Sequence, residues 1–337
     1  MTVLVTGGSG LVGTHVLDAL RARGEHVRAL VRSDSRAIVA SLGAEPVTGD
    51  VTDPRAWERA AAGAGGAVTA IIHAAAIIVS RLSLEEFMRV NVGGTRLAVE
   101  TARRLRVPLV HVSTVAVYGR AVEPAAGGRG FGEDFPFQAL SEHDYYDRSK
   151  RAAEEIVREA AERDGLSVIA IRPNVIYGER DKLFTARVIA AMRRRVLPRL
   201  GPGTNHLSCV YAGNVASAIL AALDARPSRG FRAYNVTRDR PPLLTQREFF
   251  EEFARALQIR VRFVAVHVTV AATGVAIWSA LLQLLQPRRY TGLAGAAVSF
   301  IVGENPYATD RIRNELGWEP PFDACTAIAR ATQVGHA

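Results

Sequence analysis

The sequence predicts an α/β protein built on a doubly wound parallel sheet with a smaller C-terminal lobe. Three observations carry that prediction. Short β-branched runs alternate with longer amphipathic stretches over the first two-thirds of the chain, the pattern of parallel strands joined by crossover helices. A glycine-rich turn stands directly between the first strand-like run and the first helix-like stretch. The chain has 337 residues, 48% hydrophobic and 22% charged, enough for two lobes or one enlarged domain and far from the profile of a disordered chain.

In chain order the pattern predicts strands at 3–6, 26–31, 45–47, 70–73, 108–113 and 168–172, with helices at 11–23, 84–105 and 147–163 between them. Residues 121–141 lose all periodicity. Pro124, Gly127, Gly128, Gly130, Gly132 and Pro136 punctuate them, which predicts a mobile loop. Similar breaks at 198–203 and 238–242 divide the C-terminal third. Residues 1–175 are therefore assigned to the sheet and 176–337 mainly to the smaller lobe. Within that lobe, 263–285 is about as long as the 20 residues a membrane span needs, but His267 and several polar residues interrupt it and Arg288 and Arg289 follow. The expectation is a helix lying on a membrane surface or walling a greasy pocket. A second apolar piece, 292–302, is placed to pack against it.

Forty-two Lys and Arg against 33 Asp and Glu give a net charge of +9. The basic residues are scattered apart from Arg193, Arg194 and Arg195, and no stripe of stacking aromatics accompanies them, so nucleic acid is not expected as a partner. Cys209 and Cys325 lie far apart in apolar surroundings, which predicts buried inert thiols, neither disulfide nor metal site. The chain begins on strand-like residues with no basic region and apolar core ahead of them, so the expected location is cytoplasmic, with membrane association through 263–285.

After the first strand comes Thr6-Gly7-Gly8-Ser9-Gly10-Leu11-Val12-Gly13. Gly7 permits a tight turn, Gly10 lets backbone approach a pyrophosphate, and Gly13 allows close helix-to-strand packing, with the helix N-terminus facing the negative charge. Together with Ser9, Leu11 and Val12 they form the phosphate cradle of a Rossmann dinucleotide site. The second strand ends at Arg32, where an NAD-selective fold would carry an acid. A cation there can pair with the 2′-phosphate of NADP, with Ser33 and Arg36 nearby, and NADP is therefore preferred. The alternative is an NAD enzyme in which Asp34 holds the ribose. Asp50, followed by Val51, is placed to accept from the adenine amino group, and Ala74, Ala75 and Ala76 leave room for a cofactor crossing the sheet edge. His73 is read as a satisfied core histidine.

Tyr146 and Lys150, at i and i+4 near a helix start, share one face. A phenol titrates near about pH 10, and a neighbouring ammonium would bring it toward working range. Tyr145 has the wrong spacing. A hydroxyl from Ser113 or Thr114, at the end of the fifth strand, would polarise a substrate oxygen.

The glycine turn, Asp50, Asn91-Val92-Gly93-Gly94-Thr95, Val112-Ser113-Thr114-Val115-Ala116-Val117-Tyr118-Gly119, Tyr146-Asp147-Arg148-Ser149-Lys150 and Arg172-Pro173-Asn174-Val175-Ile176-Tyr177-Gly178 together resemble the extended short-chain dehydrogenase/reductase superfamily, in its order and across most of the chain. The resemblance implies that Thr114 is the catalytic hydroxyl, Tyr146 the proton donor or acceptor and Lys150 its partner. It further implies that Asn91, Ser113, Pro173, Asn174 and Val175 lie beside the cofactor. Val210 to Ala216, Ala233 to Thr237 and Glu315-Leu316-Gly317-Trp318-Glu319-Pro320 resemble the 3β-hydroxysteroid dehydrogenase/isomerase branch. Arg32 departs from it toward dihydroflavonol-reductase-like members. The implied reaction passes a hydride between nicotinamide and a secondary alcohol or ketone on a hydrophobic, steroid-like or long-chain substrate. The rivals are a nucleotide-sugar epimerase or dehydratase with tightly bound NAD and a non-catalytic dinucleotide sensor. Relatives of this type pair through two long helices, here 84–105 and 147–163, into a homodimer.

Overall fold

β1 (Thr2–Thr6) is buried along its whole length, because successive side chains alternate between two apolar layers. Val3 and Val5 pack with α1 (Leu11–Ala22) and α8 (Ala212–Asp224), while Leu4 faces Trp57, Ala98 and Val157 on the opposite side. The computed structural model describes residues 1–63, 66–78, 82–119, 130–225, 230–269, 273 and 300–333.

After β1 and α1 come β2 (His26–Val31), α2 (Arg36–Ser41), β3 (Glu45–Thr48), α3 (Pro54–Ala62) and β4 (Val68–His73). Next are α4 (Leu84–Phe87), α5 (Gly94–Leu105), β5 (Leu109–Val112), α6 (Tyr145–Asp164) and β6 (Ser167–Pro173). With β10 (Gly230–Val236) these strands form one seven-stranded sheet in the order β10-β6-β5-β4-β1-β2-β3, every neighbouring pair parallel. The order reverses between β1 and β4, and the crevice beyond the carboxyl ends of strands at such a point is where α/β sheets bind ligands. The glycine turn and Ala74–Ala76 leave the sheet at that crevice.

The expected helix over 84–105 is one continuous stretch with a difference. Between α4 and α5 the residues Met88–Gly93 form a wider, π-type turn, whose extra residue turns the buried Asn91 amide inward. α6 ends at Gly165, whose φ of 64° is the left-handed cap that glycine adopts without strain.

The remaining elements are β7 (Val175–Tyr177), α7 (Phe184–Met192), β8 (Val196–Leu200), β9 (Cys209–Tyr211), α9 (Gln246–Ala256), β11 (Arg262–Val266), α10 (Asp310–Leu316) and α11 (Ala324–Gln333). Their core is aromatic and aliphatic, with Tyr177, Met192, Phe249, Phe253 and Ile328 at its centre. Here the structure corrects the sequence reading. Residues 263–266, expected to open a helix, are the strand β11, paired in parallel with β8. The β-branched residues at 261, 264 and 266 favour a pleated pairing that hydropathy alone did not separate from a helix. Residues 270–299, apart from 273, lie outside the described residues, and with them most of the apolar 263–285 and 292–302 stretches. No helix among the described residues is long and apolar enough to cross a membrane. Cys209 is buried as expected, but Cys325 is exposed on α11.

Candidate active site

The glycine turn is held by backbone. Gly7 has φ of 71°, its carbonyl accepts from the Gly10 N–H at 2.9 Å, and the Gly10 carbonyl accepts from Thr14 N–H at 2.9 Å. A Cβ on Gly7 would stand 2.6 Å from the Ala74 and Ala75 backbone, and one on Gly13 would stand 2.0 Å from the Gly7 carbonyl oxygen. Gly10, the residue capping α1, makes no side-chain cap, and a Cβ there would meet only Gly7 O at 3.3 Å. The first turn of α1 therefore keeps its N–H groups free on a side open to an approaching anion, so the cradle fits a dinucleotide pyrophosphate. Ser9, Leu11 and Val12 are half-buried around it.

Ala74 N–H donates to Thr6 O at 3.2 Å and Ala75 N–H to Thr6 Oγ1 at 3.3 Å, which lays Ala74–Ala76 beside the turn. Beneath them His73 bonds Thr6 Oγ1 at 2.8 Å and Thr95 Oγ1 at 3.1 Å, and burial holds its imidazole down at about 3. It is the satisfied core histidine expected.

Arg32, at the end of β2, is exposed and stands 3.5 Å from Asp34. Asp50 accepts from Thr52 N–H at 2.8 Å and Thr52 Oγ1 at 2.6 Å. Burial raises the Asp50 pKa, but the Thr52 bonds and the charges of Arg89 and Arg32 outweigh it, leaving the carboxyl below its usual range. Arg32 and Asp50 thus share one edge of the crevice. Val51 is half-buried, and its carbonyl accepts from Trp57 Nε1 at 2.8 Å.

At the other end of the crevice stand the proton-handling groups. Thr114 follows β5 in extended conformation, and its Oγ1 accepts from Ala116 N–H at 3.2 Å, capping the turn Val115–Tyr118. Tyr146 and Lys150 lie on the first turns of α6, as the spacing predicts. Burial pushes the Tyr146 phenol above its ordinary range, the neighbouring Asp147 carboxylate adds to this, and a hydrogen bond with Thr114 opposes it. Asp147 is itself raised to about 7 by burial and Asp144, against Arg151. The expected lowering of the phenol by Lys150 is not found. The Lys150 Nζ donates to the Val112 carbonyl at 2.7 Å, and its own pKa is drawn down to about 8 by burial, against Glu154.

The positions implied beside the cofactor divide in the structure. Asn91 accepts from Ile77 N–H at 2.7 Å and donates to Ile77 O at 3.1 Å and to Ser149 Oγ at 2.9 Å. Its side chain thus ties the segment that follows Ala76 to α6. Ser113 turns its hydroxyl away, donating to Glu154 Oε2 at 2.5 Å. Pro173 ends β6 and Val175 begins β7; between them Asn174 donates to Ser208 Oγ at 3.0 Å and to Thr237 O at 2.9 Å.

Two supporting residues escaped the sequence reading. Arg151 donates to Val117 O at 2.8 Å and to Gln138 O at 2.7 Å, binding the Thr114 turn and the 130s segment to α6. Glu154 forms a wholly buried ion pair with Arg172, whose Nη1 donates to Tyr118 Oη at 2.7 Å. Glu154 continues the i, i+4 series from Tyr146 through Lys150, a signal the sequence carried. The segment from Gly130, expected to be mobile, is bonded to residues 306–308, with Phe131 N–H donating to Pro306 O at 2.6 Å and Ala308 N–H to Phe131 O at 2.9 Å. Residues 120–129 lie outside the described residues.

A doubly wound sheet, a glycine cradle and a tyrosine one helical turn from a buried lysine define a nicotinamide-dependent Rossmann enzyme. The chain belongs to the NAD dependent epimerase/dehydratase family, whose model matches residues 3–237, and so to the extended short-chain dehydrogenases/reductases. It is 31% identical over 94% of its length to the 4-hydroxy-2-methyl-3-oxo-4-farnesyl-3,4-dihydroquinoline-1-oxide ketoreductase of Stigmatella aurantiaca, covering 92% of that protein. It is 30% identical to the 3 beta-hydroxysteroid dehydrogenase type 7 of Mus musculus, over 96% of this chain and 92% of the mouse protein. The fold matches the UDP-glucose 4-epimerase of Thermotoga maritima with a TM-score of 0.75 at 20% identity, over 99% of this chain and 98% of the epimerase.

Proposed function

We propose that this enzyme reduces a ketone on a hydrophobic, steroid-like or long-chain substrate to a secondary alcohol, using NADPH. The observation that carries this reading is the placement of the half-buried Tyr146 on the first turn of α6, one helical turn from Lys150 and beside Thr114, where its surroundings favour the protonated phenol. A protonated phenol is a donor, and ketone reduction needs a donor at the carbonyl oxygen. The name of the Stigmatella ketoreductase, with its farnesyl-bearing ketone, agrees in substrate class.

When bound, the dinucleotide supplies the hydride. Gly7, Ser9, Gly10, Leu11, Val12 and Gly13 hold its pyrophosphate, Arg32 reads the 2′-phosphate, and Asp50 and Val51 face the adenine. Ala74–Ala76, Asn91, Ser113 and Pro173–Val175 would form the part of the site that takes the nicotinamide half, Asn91 and Ser113 by holding the surrounding backbone. Thr114 orients the ketone oxygen, Tyr146 gives it a proton from Oη, and Lys150 holds the ribose and supports the developing phenolate. Residues 1–175 bind the dinucleotide, and 176–337 supply most of the substrate pocket. The enzyme works as a homodimer through its two long helices. Steady oxidation of NADPH with steroid or long-chain ketones, abolished in Tyr146→Phe with cofactor affinity nearly intact, is the expected result. Full turnover in that variant refutes the assignment, and NAD retained through purification favours epimerase chemistry.

A further inference from the structure

Glu154 is among the most deeply buried charged groups in the described structure. It lies on α6, one helical turn beyond Lys150 and two beyond Tyr146, so the three side chains follow one face. Its Oε2 accepts from Ser113 Oγ at 2.5 Å and from Arg172 Nε at 3.0 Å, and its Oε1 from Arg172 Nη2 at 2.5 Å. Arg172 is fixed in turn by Tyr118 Oη, by the Glu133 carbonyl at 3.1 Å and by the Tyr118 ring 4.8 Å below its guanidinium. Tyr118 Oη donates to Asn235 on β10 at 2.8 Å. The carboxylate is thus locked by β5, β6 and, through Arg172, by β10.

Lys150 lies on the same buried layer. Around it stand Tyr146 and Glu154 on α6, His73 on β4 and His111 on β5, with Arg172 on β6 behind Glu154. Burial holds both imidazoles below their ordinary range, so neither supplies a negative or a positive charge at neutral pH. The Val112 carbonyl is a neutral partner. Among the described residues, Glu154 is the carboxylate one helical turn beyond this ammonium; its direct partners are Arg172 and Ser113, and it acts on Lys150 through space.

We propose that Glu154 is a positioning residue for the reaction: paired with Arg172 and one helical turn from Lys150, its buried carboxylate favours the ammonium form of that lysine through space, while its Oε2 anchors Ser113 at the end of β5. It touches neither substrate nor cofactor and acts through Lys150 and Ser113. Arg172 orients the carboxylate. The inference rests on the reductase reading for its activity assay, and a second readout removes that dependence.

The test is Glu154→Gln, which keeps the shape and removes the charge. In the wild type, ketone turnover falls as pH rises through about 8, where Lys150 loses its proton. In the variant that limb moves at least about one unit lower, so the ratio of turnover at pH 8.5 to that at pH 6.5 drops about tenfold below the wild-type ratio. The same displacement is expected in the pH dependence of NADPH affinity, read by fluorescence without any substrate. Glu154→Asp, which retains the charge, returns both limbs to within half a unit of wild type, about a threefold change at most. A Glu154→Gln protein with lowered stability but unchanged pH profiles overturns the proposal and leaves Glu154 a packing residue. Should that variant not fold, Glu154→Gln with Arg172→Met removes both buried charges and is held to the same criterion. A wild type that binds NADPH with this pH dependence yet reduces no ketone defeats the reductase reading alone.

Discussion

Substituting Gly13 by Ala separates the packing of the glycine turn from its chemistry. The added methyl would stand 2.0 Å from Gly7 O and 2.7 Å from Gly7 C and Gly8 Cα, all backbone atoms with no rotamer to give way. Relief requires α1 to retreat from β1 by more than about 1 Å, at an overpacking cost of about 1–3 kcal/mol, partly offset by the roughly 1 kcal/mol that alanine gains over glycine within a helix. Retreat of α1 carries its free N–H groups away from the pyrophosphate. Losing two charge-assisted hydrogen bonds at about 1.5 kcal/mol each weakens NADPH binding by roughly 100-fold. Gly10→Ala is the control. It meets only one oxygen at 3.3 Å, so the fold should hold within about 1 kcal/mol while the methyl blocks the phosphate side and affinity still falls. Thermal unfolding followed by circular dichroism, with fluorescence titration of NADPH, reads both quantities. Gly13→Ala with wild-type affinity would refute the cradle, and Gly10→Ala that loses stability while binding normally would invert the roles assigned to the two glycines.

Arg32→Ala is expected to weaken NADPH binding about 10- to 100-fold and leave NADH nearly unchanged, as one charge-assisted phosphate contact of about 1.5–3 kcal/mol predicts; parallel titrations check it, and equal losses for both cofactors would remove Arg32 as phosphate reader. Lys150 makes activity and stability respond oppositely to alkali. Its pKa is lowered in the folded state, so between about 8 and 10.5 the unfolded chain holds the proton that the folded one has released, and stability from this group rises with pH while turnover falls. Unfolding midpoints of wild type and Lys150→Met, compared from pH 7 to 10.5, should show the wild type gaining on the variant. Asn91→Ala deletes two hydrogen bonds to Ile77, in the segment after β4, and one to Ser149 on α6, and is expected to cost about 1–3 kcal/mol, measured by urea unfolding.

Features determined by neighbours in the chain were readable from the residues alone. The turn from Gly7 to Gly13 closes on itself through backbone hydrogen bonds within a dozen residues, and Tyr146 and Lys150 are one helical turn apart, so spacing was enough. The positions of the strands along the chain followed from the same local patterns, whereas only the family resemblance separated Thr114 from Ser113. Relations between distant segments were not readable. Glu154 meets Ser113 forty-one positions earlier and Arg172 eighteen later, and only the stacking of α6 on β5 and β6 brings them together. The Tyr146 phenol was misjudged for the same reason. Charge spacing suggested a lowered pKa, whereas burial, a property of the whole fold, decides its direction. In β11, an apolar run reads alike as helix or strand until its partner β8, some sixty residues away, is known.

The place of β10 at the edge of the sheet has a consequence for how the chain is made. β10 completes the sheet beside β6, and α8 covers one face by packing on α1, with Arg23 and Asp224 paired at 2.8 Å at their ends. A ribosome that has released only residues 1–175 has delivered every part of the glycine cradle and both Tyr146 and Lys150, but β6 still presents an unpaired edge and α1 an uncovered apolar flank. Such an edge is a template for wrong pairing. The nascent enzyme therefore passes through a window of about sixty residues in which its chemistry is already encoded and its solubility depends on chaperones or on the speed of translation.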